Sequence, residues 1–327
     1  MECSILKTNS NGIVVPVELL PYKSIVWEEC WQKSGSAQVV FSKTDYVLDS
    51  VKVGRWIGLD ITKRIMYIHS VKVTETEVWA YGYEAKEMLA KCALLQQAAA
   101  GTVDIATAME TVITNNCPYS WLGTVSVYIS DTANLDSLEY LSLADYVAEC
   151  ANLKKLGYYI ARNTVTGKLD FRAQQGTDKT DKVHFATTLG NANDIKYTYS
   201  DKSYCNVVYA IGENNIVESA SESSITGETY SAILDLRDSF PQDTMTTANY
   251  RAALQNRAYM SLIARHNTEK IEIGSIDTSE FGSTYGLGDI ISIDIPELYL
   301  STSRRVIAAK YTVEGGNIKL KLTLSEV

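Results

Sequence analysis

The clearest pattern along the chain lies near its C-terminal end. Across residues 285–295 the apolar Leu287, Ile291, Ile293 and Ile295 share one parity, with polar Ser292 and Asp294 between three of them. A period of two puts the apolar set on one face of a half-buried strand. Ile293 is then core, and replacement of the outward Ser292 is expected to be near neutral. Gly286 and Gly288 allow a tight bend just before it. Residues 304–313 and 318–324 read as two further strands, joined through Glu314-Gly315-Gly316-Asn317. The Gly-Gly pair is a hairpin signature.

The same pattern occurs near the other end. Residues 51–60 hold a glycine-marked strand, Arg64 opens a second strand over 64–73, and a polar turn at 74–77 leads to an alternating third strand over 78–83. Two such units at opposite ends of one chain predict a structural repeat. Upstream, strands are expected at 13–20, 24–33 and 38–42, with Trp27, Glu29 and Trp31 on one face and Val26, Glu28 and Cys30 on the other.

Between the two ends the period changes to that of helices. Met88, Leu89, Cys92 and Leu95 predict a helix over 84–100 with Gly101 as its cap. Thr102 is placed to cap a helix over 103–115, with Ile105, Met109, Val112 and Ile113 inward. Ser142 and Asp145 form a capping-box pair for a third helix near 142–155, whose stripe is Leu143, Tyr146, Val147 and Cys150. A hairpin follows at 158–172. A last helix over 247–265 carries Tyr250, Leu254, Ala258 and Leu262 on one face. The expected class is α+β, mainly β. Two small tube-type β-barrels, at 1–98 and 193–327, flank an α/β domain at 99–190, and the last helix is embedded in the second barrel.

Composition narrows the function. The chain has 327 residues, enough for two or three domains. Its net charge of −9 argues against tight binding of nucleic acid or anionic membrane. No apolar run approaches the ~18 residues of a membrane span, and residues 1–20 lack the continuous apolar core of a signal peptide. The 21 tyrosines against 5 phenylalanines suggest rings shared between an interface and water. Cys3, Cys30, Cys92, Cys117, Cys150 and Cys205 show no metal-ligand spacing and read as reduced thiols of a cytoplasmic product.

No catalytic, cofactor or metal set emerges. His69 sits inside an alternating strand, His184 at a strand edge and His266 at a helix end, none in a nucleophile motif. Cys117 reads as a loop thiol. Glu28 and Glu29 are adjacent and point to opposite faces, while Glu75 and Glu77 fall in a turn. Asp178 with Asp181, and Asp235 with Asp238, lack the alternating oxygen ligands of a calcium loop. The Tyr285-Gly286-Leu287-Gly288 run precedes a strand and not a helix, the wrong setting for a phosphate loop.

The order of these elements, together with residues 166–172, 189–193, 205–209 and 285–289, resembles the phage tail hub family. That family comprises baseplate hub and tail-tip proteins, the Gp37-like group of siphophages among them, and hubs of contractile injection systems. The resemblance implies a homotrimer in which two barrels per chain imitate a six-fold ring. It implies a structural role in the virion tail. The expected neighbours are a distal tail ring, the tape measure and tip or spike proteins, and DNA passes through without being held. An acidic or neutral channel wall is expected, with Glu75, Glu77, Asp289 and Asp294 as candidates. A cell-wall hydrolase and a module binding host-envelope saccharide are the alternatives.

Overall fold

The computed structural model describes residues 1–94, 101–135, 142–222, 227–243, 245–265, 268–275 and 280–327. The first unit contains β1 (Cys3–Thr8), β2 (Val14–Leu19), β3 (Ser24–Cys30), β4 (Ser36–Ser42), the short helix α1 (Asp45–Ser50), β5 (Trp56–Leu59), β6 (Ile65–Val73) and β7 (Glu77–Glu84). The middle of the chain supplies β8 (Gly101–Asp104), α2 (Ile105–Asn116), β9 (Leu122–Tyr128), β10 (Thr132–Leu135), α3 (Leu143–Leu153), β11 (Gly157–Arg162) and β12 (Leu169–Gln174). Then come β13 (His184–Ala186), β14 (Ala192–Ser200), β15 (Val207–Ile211), β16 (Val217–Ser221), β17 (Ser231–Asp235), α4 (Thr247–Ala264), β18 (Thr268–Ser275), β19 (Ile290–Ile295), β20 (Leu300–Glu314) and β21 (Asn317–Ser325). The fold is mainly β.

The two ends repeat one strand order. In the first unit the neighbours run β3-β4-β7-β6-β5-β1, and in the second they run β14-β18-β21-β20-β19-β13. The equivalence extends to single atoms. Gly54 N–H donates to the Ile68 carbonyl at 3.0 Å, and Gly288 N–H donates to the Val306 carbonyl at 2.8 Å. Both glycines have φ of 90°, a conformation open to glycine at little cost. A bulge follows each acceptor, between Ile68 and Ser70 in one unit and between Val306 and Ala308 in the other. The outermost strands differ: β1 runs antiparallel to β5, whereas β13 runs parallel to β19.

The predicted parity holds in β19, where Ile291, Ile293 and Ile295 are buried. Leu287 lies before the strand and is only partly buried against the same core. The outward Ser292 is nevertheless held. β13 lies beside β19, and the Ser292 hydroxyl donates to the Thr180 carbonyl at 2.9 Å, so Ser292 is anchored and not simply solvated. Glu314 pairs with Asn317 across Gly315 and Gly316, both at positive φ, which closes the C-terminal hairpin tightly. The largest hydrophobic cluster draws on both units, with Trp27, Ile57 and Ile68 alongside Ile273, Ile293 and Leu322.

The middle segment builds a second core. Ile105, Met109, Val112 and Ile113 of α2 pack with Leu143, Tyr146, Val147 and Cys150 of α3 over the β11-β12-β9 sheet. The Ser142–Asp145 capping box is formed. The cap of α2 is Asp104, whose carboxylate accepts from Thr107 N–H at 2.8 Å, and not Thr102, which lies in β8. Asp is the stronger cap of the two. Gly101 opens β8 and does not end a helix. Where one helix was expected over 84–100, β7 continues to Glu84 and only Ala85–Lys91 turns, as a 3-10 helix; residues 95–100 lie outside the described residues.

A second difference concerns α4, which is not embedded among the strands of the large sheet. Its buried face of Tyr250, Leu254, Ala258 and Leu262 packs with Val208 and Ala210 of β15, and Ala220, Ala232 and Leu234 lie against the same cluster. The β16-β15-β17 sheet is separate and is inserted between β14 and β18.

Candidate assembly interface

The two repeats are joined edge to edge. β20 is long enough to serve two partners in succession. Its first part, from Leu300 to Arg305, pairs with β19, and beyond the bulge it pairs antiparallel with β3. In that junction Tyr311 stands opposite Trp27, Val313 opposite Ile25, and Lys310 opposite Glu28. Trp27 and Tyr311 are both buried. Trp31, just past β3, locks the corner. Its N–H donates to the Ile307 carbonyl at 2.8 Å, and its carbonyl accepts from Tyr158 N–H at 3.2 Å. Its ring occupies the space where a Cβ on Gly288 or Gly157 would lie, 2.2 and 2.1 Å away. One indole thus touches the first unit, the middle segment and the second unit.

A buried charge network lies beneath this corner. Arg64 opens β6 and bonds the Glu84 carboxylate at 2.5 Å, with Glu29 at 3.4 Å. Lys86 reaches the other Glu84 oxygen at 3.1 Å and donates to the carbonyls of Cys30 at 2.9 Å and Tyr158 at 3.1 Å. Gly35 N–H also donates to Glu84, at 2.8 Å. The cations stack on the middle segment as well, Arg64 4.7 Å from the Tyr159 ring centre and Lys86 5.0 Å from that of Tyr158. Burial raises the Glu29 carboxyl, and Arg64 only partly offsets it. Burial also pushes Glu84 up, but Arg64 and Lys86 outweigh it and hold that carboxyl below its usual range. Burial drives Lys86 down to about 8 against the pull of Glu84. With three acceptors around its ammonium, Lys86 is charged at neutral pH.

A cleft of about 550 Å³ opens beside the network, lined in part by Glu29, Trp31, Arg64, Tyr159, Tyr285 and Tyr311. Its carboxylates are already engaged. Glu29 accepts from the Trp27 indole at 3.0 Å, Asp60 from Glu2 N–H at 2.8 Å, and Asp289 from Gly286 N–H at 2.9 Å and Thr177 N–H at 2.8 Å. Asp289, a channel-wall candidate by sequence, thus ties a loop in place. Asp294 lies half-buried on β19.

The remaining residues singled out by sequence are dispersed. His69 is exposed at the β6 bulge and stacks on Tyr83 at 5.1 Å. His184 lies exposed on β13, opposite Ser292. His266 lies outside the described residues. Glu75 is exposed, while Glu77 pairs with Lys23 at 2.8 Å. Asp178 bonds the Thr180 hydroxyl at 2.7 Å, and Asp235 is gripped by Arg237. Among the described residues no group of three or more His, Cys, Asp or Glu is arranged to hold a metal ion.

One pair escaped the sequence reading. Cys117 caps the end of α2. There its thiol lies in the same core as that of Cys92, which donates to the Met88 carbonyl at 3.6 Å; the interaction of the two thiols lowers Cys117 to about 7 and pushes Cys92 strongly up. Lys86 and the Cys92–Cys117 contact carry no motif. The nearest signal is a charged residue closing an alternating apolar strand.

Comparison with known proteins agrees with this architecture. The model of the Siphovirus ReqiPepy6 Gp37-like protein family matches residues 17–324. Among solved structures, the tail protein from Neisseria meningitidis MC58 superposes with a TM-score of 0.66 at 12% identity, covering 100% of this chain and 97% of that one. The 43 kDa tail protein of prophage MuSo2 from Shewanella oneidensis gives 0.62 at 12% identity, covering 99% and 97%. The Escherichia coli c3393 protein, a type VI secretion component described as similar to T4 tail proteins gp27 and gp5, gives 0.52 at 8% identity, covering 94% and 74%. These likenesses are of fold. No curated protein matches the sequence. With the family model spanning most of its length, the chain belongs to the Siphovirus ReqiPepy6 Gp37-like family of phage tail proteins.

Proposed function

We propose that the protein is a structural hub of the tail. Three copies form a ring that closes the tail tube, joins the distal tail ring to the tip, and leaves an axial channel for DNA or tape measure. The observation that carries this reading is the internal repeat. The units share a glycine turn, a bulge and a strand order, and they are already joined side by side through β3 and β20. A chain with two equivalent units can imitate six-fold symmetry with three copies, and such a ring meets a tube of six-fold symmetry on equal terms.

In this reading 1–98 and 193–327 are the ring-forming units, with β13 added to the second, and the rest of 99–190 is a domain held to them by Trp31 and the Arg64–Lys86 network. The channel wall is acidic or neutral. The net charge of −9 per chain, about −27 for three copies, disfavours retention of passing DNA, because affinity for DNA grows with each phosphate neutralised. Solution mass combined with negative-stain imaging tests the assembly. A peptidoglycan zymogram separates the hub from a hydrolase, since the hub produces no clearing.

A further inference from the structure

The large sheet ends on one side at β14, which pairs with β18 and has no strand on its other edge among the described residues. β6 has a comparable gap. It pairs with β5 only through Ile65, Met66 and Tyr67, and beyond its bulge the edge away from β7 has no strand among the described residues. Exposed edges of this length invite pairing with another chain.

The repeat says what those edges fit. Ile68 corresponds to Val306, so Ser70 corresponds to Ala308 and Val73 to Tyr311. Val39 pairs with Ala80 as Ile273 pairs with Leu322, which makes β4 the counterpart of β18 and β3 that of β14. The partners of β4 and β18 then equate Trp27 with Tyr197 and Glu29 with Tyr199. Inside the chain the β20 edge beyond the bulge is filled by β3. The β6 edge beyond the bulge and the β14 edge are the two halves of the same junction, left open at opposite ends of the sheet.

Resting on the ring reading, we infer that β14 of one copy pairs antiparallel with the free edge of β6 in a second copy. The register copies the internal junction: Val73 opposite Tyr197, Lys72 opposite Thr198, Val71 opposite Tyr199 and Ser70 opposite Ser200. The side chains fit this use. Val73 is 48% exposed, Tyr197 42% and Tyr199 55%, whereas their internal counterparts Tyr311 and Trp27 are 4% and 0% exposed. Cross-strand pairs of an aromatic with a β-branched residue are favourable in sheets. The contact is head-to-tail, and it closes with three copies when each junction turns by about 60°.

Paired cysteines test the register. Val73→Cys and Tyr197→Cys in one chain, treated with a mild oxidant, should give a covalent ladder ending at three chains. Val73→Cys with Ser200→Cys, out of register, should give little linking, as should the parent with its native thiols. Mixing the two single variants should link one copy of each, while either alone stays uncoupled, as a head-to-tail contact requires. A three-copy particle by mass without in-register linking overturns this pairing and leaves the ring standing. A monomer at high concentration overturns both.

Discussion

Gly54 and Gly288 occupy the same place in two copies of one unit, each at φ of 90° with its N–H on a carbonyl just before a bulge. Their surroundings differ. A Cβ at Gly54 would meet only the Tyr67 hydroxyl, at 3.8 Å, whereas one at Gly288 would strike the Trp31 ring. Gly54→Ala is expected to cost about 1–2 kcal/mol, from left-handed backbone strain. Gly288→Ala should cost a further ~1–3 kcal/mol, from overpacking. Chemical denaturation of the two variants measures the difference, and equal costs would mean that Trp31 yields freely.

The β19 face can be tested by two neighbours. Ile293→Ala should lose about 2–5 kcal/mol, as a buried isoleucine does. Ser292→Ala should lose about 1 kcal/mol, the worth of its bond to Thr180. A loss at Ser292 as large as that at Ile293 would mean the strand is buried on both faces.

Glu84 is the hinge of the charge network. Glu84→Gln leaves Arg64 and Lys86 without their shared carboxylate and should cost about 3–5 kcal/mol. Glu75→Gln, on an exposed turn, should stay within about 0.5 kcal/mol. Equilibrium unfolding of both variants under the same conditions decides this.

Cys117 should be the thiol that reacts near neutral pH. The neighbouring Cys92 thiol lowers it to about 7, whereas burial raises Cys30 to about 11 and Cys3 to about 12. The thiolate is the nucleophile, so iodoacetamide labelling of Cys117 should rise with pH through a midpoint near 7. Cys92→Ala removes that neighbour and should move the midpoint up toward about 8.5. Peptide mapping by mass spectrometry reads the site. Labelling that favours Cys30 below pH 8, or an unmoved midpoint, would contradict the contact.

The repeat was legible because its marks are local: a glycine turn, a period of two, and a Gly-Gly hairpin. The inward stripes of α2 and α3 were legible for the same reason, since 3.6-residue spacing stays within one element. Other features depend on distant partners. β1 has an irregular burial pattern and forms against β2 and β5. α1 spans only six residues and rests on the Thr44 cap. The helix pattern of α4 was visible, but nothing in it tells which sheet it covers. Arg64, Glu84 and Lys86 look like ordinary strand-end charges until Tyr158 and Tyr159 close over them. Cys92 and Cys117, which follow the turn after β7 and helix α2, meet only in the shared core of the middle segment.

The central claim is that two equivalent units per chain build a ring of six from three copies. Light-scattering mass with negative-stain averages of the purified protein tests it most directly. The account predicts a particle of about 109 kDa, three times 36.2 kDa, with three-fold averages showing six lobes around an open axis. A particle that stays at 36.2 kDa across the accessible concentration range, or a trimer with no axial opening, would contradict it.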